Sequence, residues 1–212
     1  MSMWHKKSNN NIEMYGVPGA GKSTLARQLE SEKKLPVVQP FTTGYFLSSW
    51  LLVRYPVTTA RWLWLYLQCW RRNRSVMVLR YNLVLFFGSL AAIHQARSVK
   101  NLVVIDEGLV QRLLSASDIL LTEEQICRLL PRKLVGSRLL RVTDVAAGPN
   151  RYHENHPRRV MGEAAFTRWC ENLRKNEALI SVWLQANNFA VTAFDRSEFA
   201  TFKEDDWLKI VS

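Results

Sequence analysis

The octet Gly16-Val17-Pro18-Gly19-Ala20-Gly21-Lys22-Ser23 constrains this chain more than any other stretch. It separates an apolar, strand-like run, "NIEMYGV", from a helix-like run, "KSTLARQLE". Glycines admit positive φ and carry no side chain, so consecutive backbone N–H groups can point into one concavity. A helix beginning near Lys22 adds the positive end of its dipole there. The spacing G-x-x-x-x-G-K-[ST] is that of a nucleotide phosphate cradle. With Gly at about 7% of residues, about one chain in a hundred of this length matches by chance, and the flanking strand and helix lower that further. The backbone of Gly16, Gly19, Ala20 and Gly21 is expected to line the cradle. Lys22 is expected to reach the outer phosphates, Ser23 to ligate Mg²⁺ and Thr24 to bond an inner phosphate. ATP and Mg²⁺ are the expected cofactors.

Four further short runs rich in Val and Ile read as strands: "PVVQPF" (36–41), "NLVVIDEG" (101–108), "RLLRVTDV" (138–145) and "FAVTAFD" (189–195). Helical patterns lie between them. Leu63, Tyr66, Leu67 and Trp70 keep i, i+3, i+4, i+7 spacing, with Arg71, Arg72 and Arg74 at the C-terminal end where cations are favoured. A helix is expected over 76–96, another from an N-cap at Thr122, and a long one over 163–185. Strands alternating with helices give an α/β, three-layer fold, a five-stranded parallel sheet covered on both faces. The chain reads as one domain over 1–212. Residues 44–96 form a mostly helical insert, and the polar segment 146–162 is long enough to be a functional loop.

A phosphate cradle holds Mg²⁺ poorly without an acid at the end of a neighbouring strand. Asp106, ending "LVVIDEG", meets that need as a metal ligand, directly or through a water. Glu107 beside it has two readings: a general base for an attacking hydroxyl or water, or an ion-pair partner of Arg112 or another arginine.

The net charge is +11, yet no Asp or Glu occurs between Glu32 and Asp106. Ten Lys and Arg residues fall in that interval, which reads as a site for an anionic partner or as a solvated basic face. The N-terminal "MSMWHKKSNNN" lacks the apolar core of a signal peptide. The apolar stretch 81–93 is shorter than the roughly 20 residues of a membrane span, and reads as a core helix. Cys69, Cys127 and Cys170 lie far apart without metal-site spacing, and a cytoplasmic setting is expected.

With "GVPGAGKST", "VVIDEG" about 80 residues later, five strands in βα order and an Arg-rich loop after the fourth strand, the chain resembles the P-loop nucleoside and nucleotide kinase family. The resemblance implies that 44–96 is the acceptor-binding region and 146–162 a closing lid. Arg151, Arg158 and Arg159 of the lid would neutralise charge on the transferred phosphoryl group, since guanidinium binds bidentately. His153 and His156 read as loop residues rather than ligands. Many family members have Asp-Arg where this chain has Asp106-Glu107-Gly108, and the insert has no acid to recognise a ribose hydroxyl. An acceptor already carrying phosphate or another anion is therefore expected, with Arg54, Arg61 and Arg80 nearest it. The insert tryptophans, Trp50, Trp62, Trp64 and Trp70, read as core before base-stacking residues. The leading function is a kinase passing the γ-phosphoryl of ATP to an anionic acceptor. The alternatives are an ATPase switch, in which Glu107 activates water, and a nucleotide-gated module for nucleic acid or an anionic membrane surface.

Overall fold

The computed structural model describes residues 11–40, 55–116, 118–136, 138–143 and 161–196. Five strands, β1 (Asn11–Tyr15), β2 (Val37–Val38), β3 (Val103–Ile105), β4 (Arg138–Thr143) and β5 (Ala190–Asp195), form one parallel sheet in the order β2-β3-β1-β4-β5. Helices α1 (Lys22–Lys33), α2 (Pro56–Asn73), α3 (Val76–Ser98), α4 (Leu109–Ser115), α5 (Glu123–Leu129) and α6 (Glu163–Ala186) complete the described elements. The two-residue period of β1 divides the core. Ile12 and Met14 pack with Leu25, Ala26 and Leu29 of α1 on one face. Tyr15, with Val103 and Ile105, meets residues of α2 to α6 on the other. The three-layer architecture expected from the sequence is the one observed.

Local chemistry sets the boundaries. Pro56 occupies the first turn of α2, where a missing N–H costs nothing. Ser75 caps α3 by accepting from the Val78 N–H at 3.2 Å. Thr122 and Gln125 cap α5 reciprocally, at 2.9 and 3.2 Å. Strand β2 is shorter than its apolar run, because Pro36 and Pro40 have no N–H to give to a ladder. Helix α4 follows β3 after a short turn and is absent from the sequence-based assignment. Seven residues are too few for a periodic signal.

The buried stripe of α2 is Thr59, Trp62, Leu65, Tyr66 and Cys69, a rotation away from the stripe read from Leu63 and Trp70. Leu63 and Trp64 are exposed. The phase is fixed by Trp62, whose Nε1–H donates to the Leu129 carbonyl at 2.9 Å and whose ring stacks on Phe86 at 5.0 Å. Helix α3 is long and apolar enough to cross a membrane. Here Phe86, Leu90, Ala92, Ile93 and Ala96 belong to the same core as Val103 and Ile105.

Glu13 is buried completely in the middle of β1. Its Oε1 accepts from the Val110 N–H at 2.6 Å and its Oε2 from the Gly136 N–H at 3.0 Å. A Cβ on Gly108 would collide with this carboxyl, so the turn out of β3 requires a residue without one. Burial pushes the Glu13 pKa from 4.5 up to about 7, against the lowering effect of the two N–H donors and Arg112. A folded-state pKa above the unfolded one means the native state holds the extra proton between pH 4.5 and 7. Stability therefore falls as pH rises through that window, by about 3 kcal/mol in all. We predict that Glu13→Gln removes this component. Urea unfolding from pH 4.5 to 8 should show wild type losing stability relative to the variant; parallel curves would contradict the assignment.

Candidate phosphate-binding site and adjoining cleft

Gly16 opens the loop that follows β1. Its N–H donates to Gln111 Oε1 at 3.0 Å, and a Cβ there would collide with the Val142 carbonyl of β4. The loop turns at Ala20, whose N–H donates to the Val17 carbonyl at 3.2 Å. It closes at Gly21, where φ of 93° is a conformation favouring glycine. The carbonyl of Gly21 accepts from the N–H groups of Thr24 and Leu25, each at 3.0 Å, and starts α1. Ser23 and Thr24 are exposed on its first turn.

Lys22 is buried, and its Nζ donates to the carbonyls of Gly16 at 3.0 Å and Val17 at 3.2 Å. Burial lowers its pKa, and the carboxylates of Glu107 and Asp106 oppose that shift. Because β3 lies beside β1, the residues after β3 face this loop. Asp106 is buried, and burial, then Glu107, raises its pKa; Lys22 and the Ser23 hydroxyl act the other way. Its Oδ1 is buried with no hydrogen-bond partner among the described residues. A buried carboxylate oxygen lacking a donor, beside a serine hydroxyl, suits a hard divalent cation. Ser23 and Asp106 thus fit Mg²⁺, which would take its other oxygens from phosphate and water.

Glu107 is ion-paired with the buried Arg112, and its carbonyl accepts from Ser89 Oγ at 2.8 Å. Of the two readings of Glu107, the pairing with Arg112 is thus present. A glycine cradle between β1 and α1, with an acid closing the adjacent parallel strand, decides the architecture. This is an α/β fold with a P-loop.

No protein-family model and no curated protein matches the chain. Among solved structures, it is similar to the YorR protein of Bacillus subtilis in complex with phosphorylated GDP, with 16% identity and a TM-score of 0.42 over 94% of this chain and 91% of that one. It is also similar to deoxyadenosine kinase from M. mycoides with bound dCTP, at 11% identity and a TM-score of 0.46 over 94% of each chain.

The loop opens into a cleft of about 380 Å³. Pro18, Gly19 and Gly21 to Thr24 form one wall; Tyr81, Asn82 and Leu85 of α3, Gln111, Arg112 and Ser115 of α4, and Trp169 of α6 form the others. Glu107 and Arg196 also line it. Asn82 is only 5% exposed, and its side-chain amide has no partner among the described residues. Trp169 is held by donating from Nε1 to the Ser115 carbonyl at 3.3 Å.

The structure thus brings together Gly16, Gly19, Ala20, Gly21, Lys22, Ser23, Thr24, Asp106 and Glu107. It does not bring Arg61 or Arg80 into the cleft. Arg61 is exposed and donates to the Arg128 carbonyl at 3.3 Å, at the negative end of α5. Arg80 is exposed while the next residues, Tyr81 and Asn82, turn inward. Arg54, Arg151, Arg158 and Arg159 lie outside the described residues, as do Trp50, His153, His156 and residues 146–160 of the lid. Sequence reasoning missed Tyr81, Asn82, Gln111 and Trp169 as cleft residues. For Gln111 a signal existed: a helix assigned directly after "VVIDEG" would have set Gln111 in its first turn, facing the phosphate loop.

Gln111 is the side chain that ties α4 to the start of the loop, since its Nε2 also donates to Ser115 Oγ at 3.1 Å. Gln111→Ala should leave the Gly16 N–H without its acceptor and weaken nucleotide binding by about 1 kcal/mol, roughly fivefold. Calorimetric titration with ADP checks this, and unchanged affinity would mean the loop does not rely on the tie.

Proposed function

We propose that the chain is an ATP-dependent kinase that transfers the γ-phosphoryl group to an acceptor carrying an anionic group. The observation that carries the reading is the shared cleft. The phosphate loop opens on a cleft whose other walls are α3, α4 and α6, and this supports a reading in which a second molecule sits beside the phosphates. Hydrolysis needs no such compartment. The three cysteines form no disulfide, which suits the reducing, ATP-rich cytoplasm.

In this reading the loop N–H groups and Lys22 bind the phosphate chain. Lys22 exchanges its two carbonyl contacts for phosphate oxygens. Ser23 and Asp106 would hold Mg²⁺, which would supply charge neutralisation to the phosphates. An acceptor hydroxyl attacks the γ-phosphorus in line, the bond to the β–γ bridging oxygen breaks, and ADP departs. Glu107 takes the hydroxyl proton, with Arg112 holding its carboxylate in place. Arg151, Arg158 and Arg159 are the lid groups assigned to the spreading negative charge.

The test uses γ-labelled ATP and Mg²⁺ with the purified chain, alone and with fractionated cell extract. Label should move to an extract component with wild type and not with Asp106→Asn. Glu107→Gln should still bind ATP yet transfer about 10²-fold or more slowly, as expected for loss of a general base. Release of free phosphate at the same rate with and without extract would instead identify an ATPase.

A further inference from the structure

Trp169 lines two cavities. The second, of about 560 Å³, is bounded by Arg72, Asn73 and Arg74 at the end of α2, by Asp118, and by Arg168 and Trp169 of α6. The three arginines are exposed, and among the described residues none of their guanidinium groups has a hydrogen-bond or ion-pair partner. Other arginines of this chain are neutralised: Arg112 by Glu107, Arg128 by Glu124 and Arg141 by Glu177. Among the described residues the carboxylate at the second cavity is that of Asp118, which accepts from Asn73 Nδ2 at 3.1 Å.

The simple account of such cations, attraction to a helix C-terminus, covers Arg72 at the end of α2. It does not cover Arg168, which lies in the second turn of α6, near the end where the dipole favours anions. Arg74 is held at φ 55°, a conformation better suited to glycine, while the Ser75 N–H donates to Asn73 Oδ1 at 2.9 Å. Among the described residues, three cations from two elements thus line one cavity with a single acid. Their mutual repulsion would be relieved by an anion, and guanidinium forks match the oxygens of phosphate.

We propose that this groove binds a phosphate group, and that the group is the far end of a small phosphorylated acceptor whose free hydroxyl reaches the phosphate loop past Trp169. The second half of this statement rests on the kinase reading; the first does not. It supplies the anion recognition that Arg61 and Arg80 do not bring to the cleft.

The experiment has two arms. In the first, the full chain is saturated with Mg²⁺ and ADP to fill the loop, and inorganic phosphate is titrated by calorimetry. One site is expected, weakened at least tenfold by Arg168→Ala and by Arg74→Gly, and unaffected by Arg61→Ala. The glycine variant suits the backbone at 74, so a folding defect does not confound it. If ADP fails to bind, the same titration on Lys22→Ala still reads the groove while the kinase reading falls. Absence of phosphate binding, or equal binding in both groove variants, overturns the site. In the second arm, extract is treated with phosphatase, which is then removed. Label transfer should be lost, and Arg168→Ala should raise the KM for untreated acceptor at least tenfold with kcat unchanged. Phosphate binding without either effect would overturn the acceptor half and leave a site for free phosphate.

Discussion

At the carboxyl end of the sheet, Lys22 and Asp106 are both held out of water. Burial pushes the lysine toward neutrality and the aspartate toward protonation, and each is partly restored by the charge of the other. That mutual support depends on topology: β1 lies directly beside β3, so the loop after one faces the acid after the other. It also depends on the tie between Gly16 and Gln111 and on the Glu13 carboxyl, which holds the first turn of α4 from beneath. The site is therefore braced by Gln111 in the cleft wall and by the buried Glu13 behind it. Among the described residues Asp106 Oδ1 has no hydrogen-bond partner, and a metal held there would supply one.

Much of this was legible in the sequence, for a physical reason. The cradle is a local object, in which each glycine's role is set by its own φ or its immediate surroundings, and Asp106 follows from an apolar run that ends in an acid. Strands β1, β4 and β5 and helices α3, α5 and α6 emerge from apolar runs and caps for the same reason. The partners of Glu13 were not legible, because Val110 and Gly136 lie about a hundred residues away and no local pattern marks a carboxyl meant for backbone N–H groups. The stripe of α2 was misread because Trp62 and Leu63 are both apolar on paper; the Leu129 carbonyl, which accepts from Trp62, fixes which one turns inward. Helix α4 was too short to announce itself, and with it went Gln111.

The charge of the insert shows the same limit. Its excess of cations was plain, but which of them would face a common partner depends on how α2 and α6 lie together. Arg61 and Arg71 are taken up by a helix carbonyl and by the Trp64 ring, respectively. Arg72 and Arg74, which read as surface residues, stand at a cavity with Arg168, nearly a hundred residues later.

The account stands on the claim that Ser23 and Asp106 hold a divalent cation against a nucleotide on this loop. ADP affinity, measured by calorimetry with Mg²⁺ and with EDTA on wild type and Asp106→Asn, tests it most directly. Mg²⁺ should tighten binding about tenfold or more in wild type, a gain of about 1.4 kcal/mol, and give little or no gain in the variant. An equal gain in both proteins, or no binding of ADP at all, would contradict it.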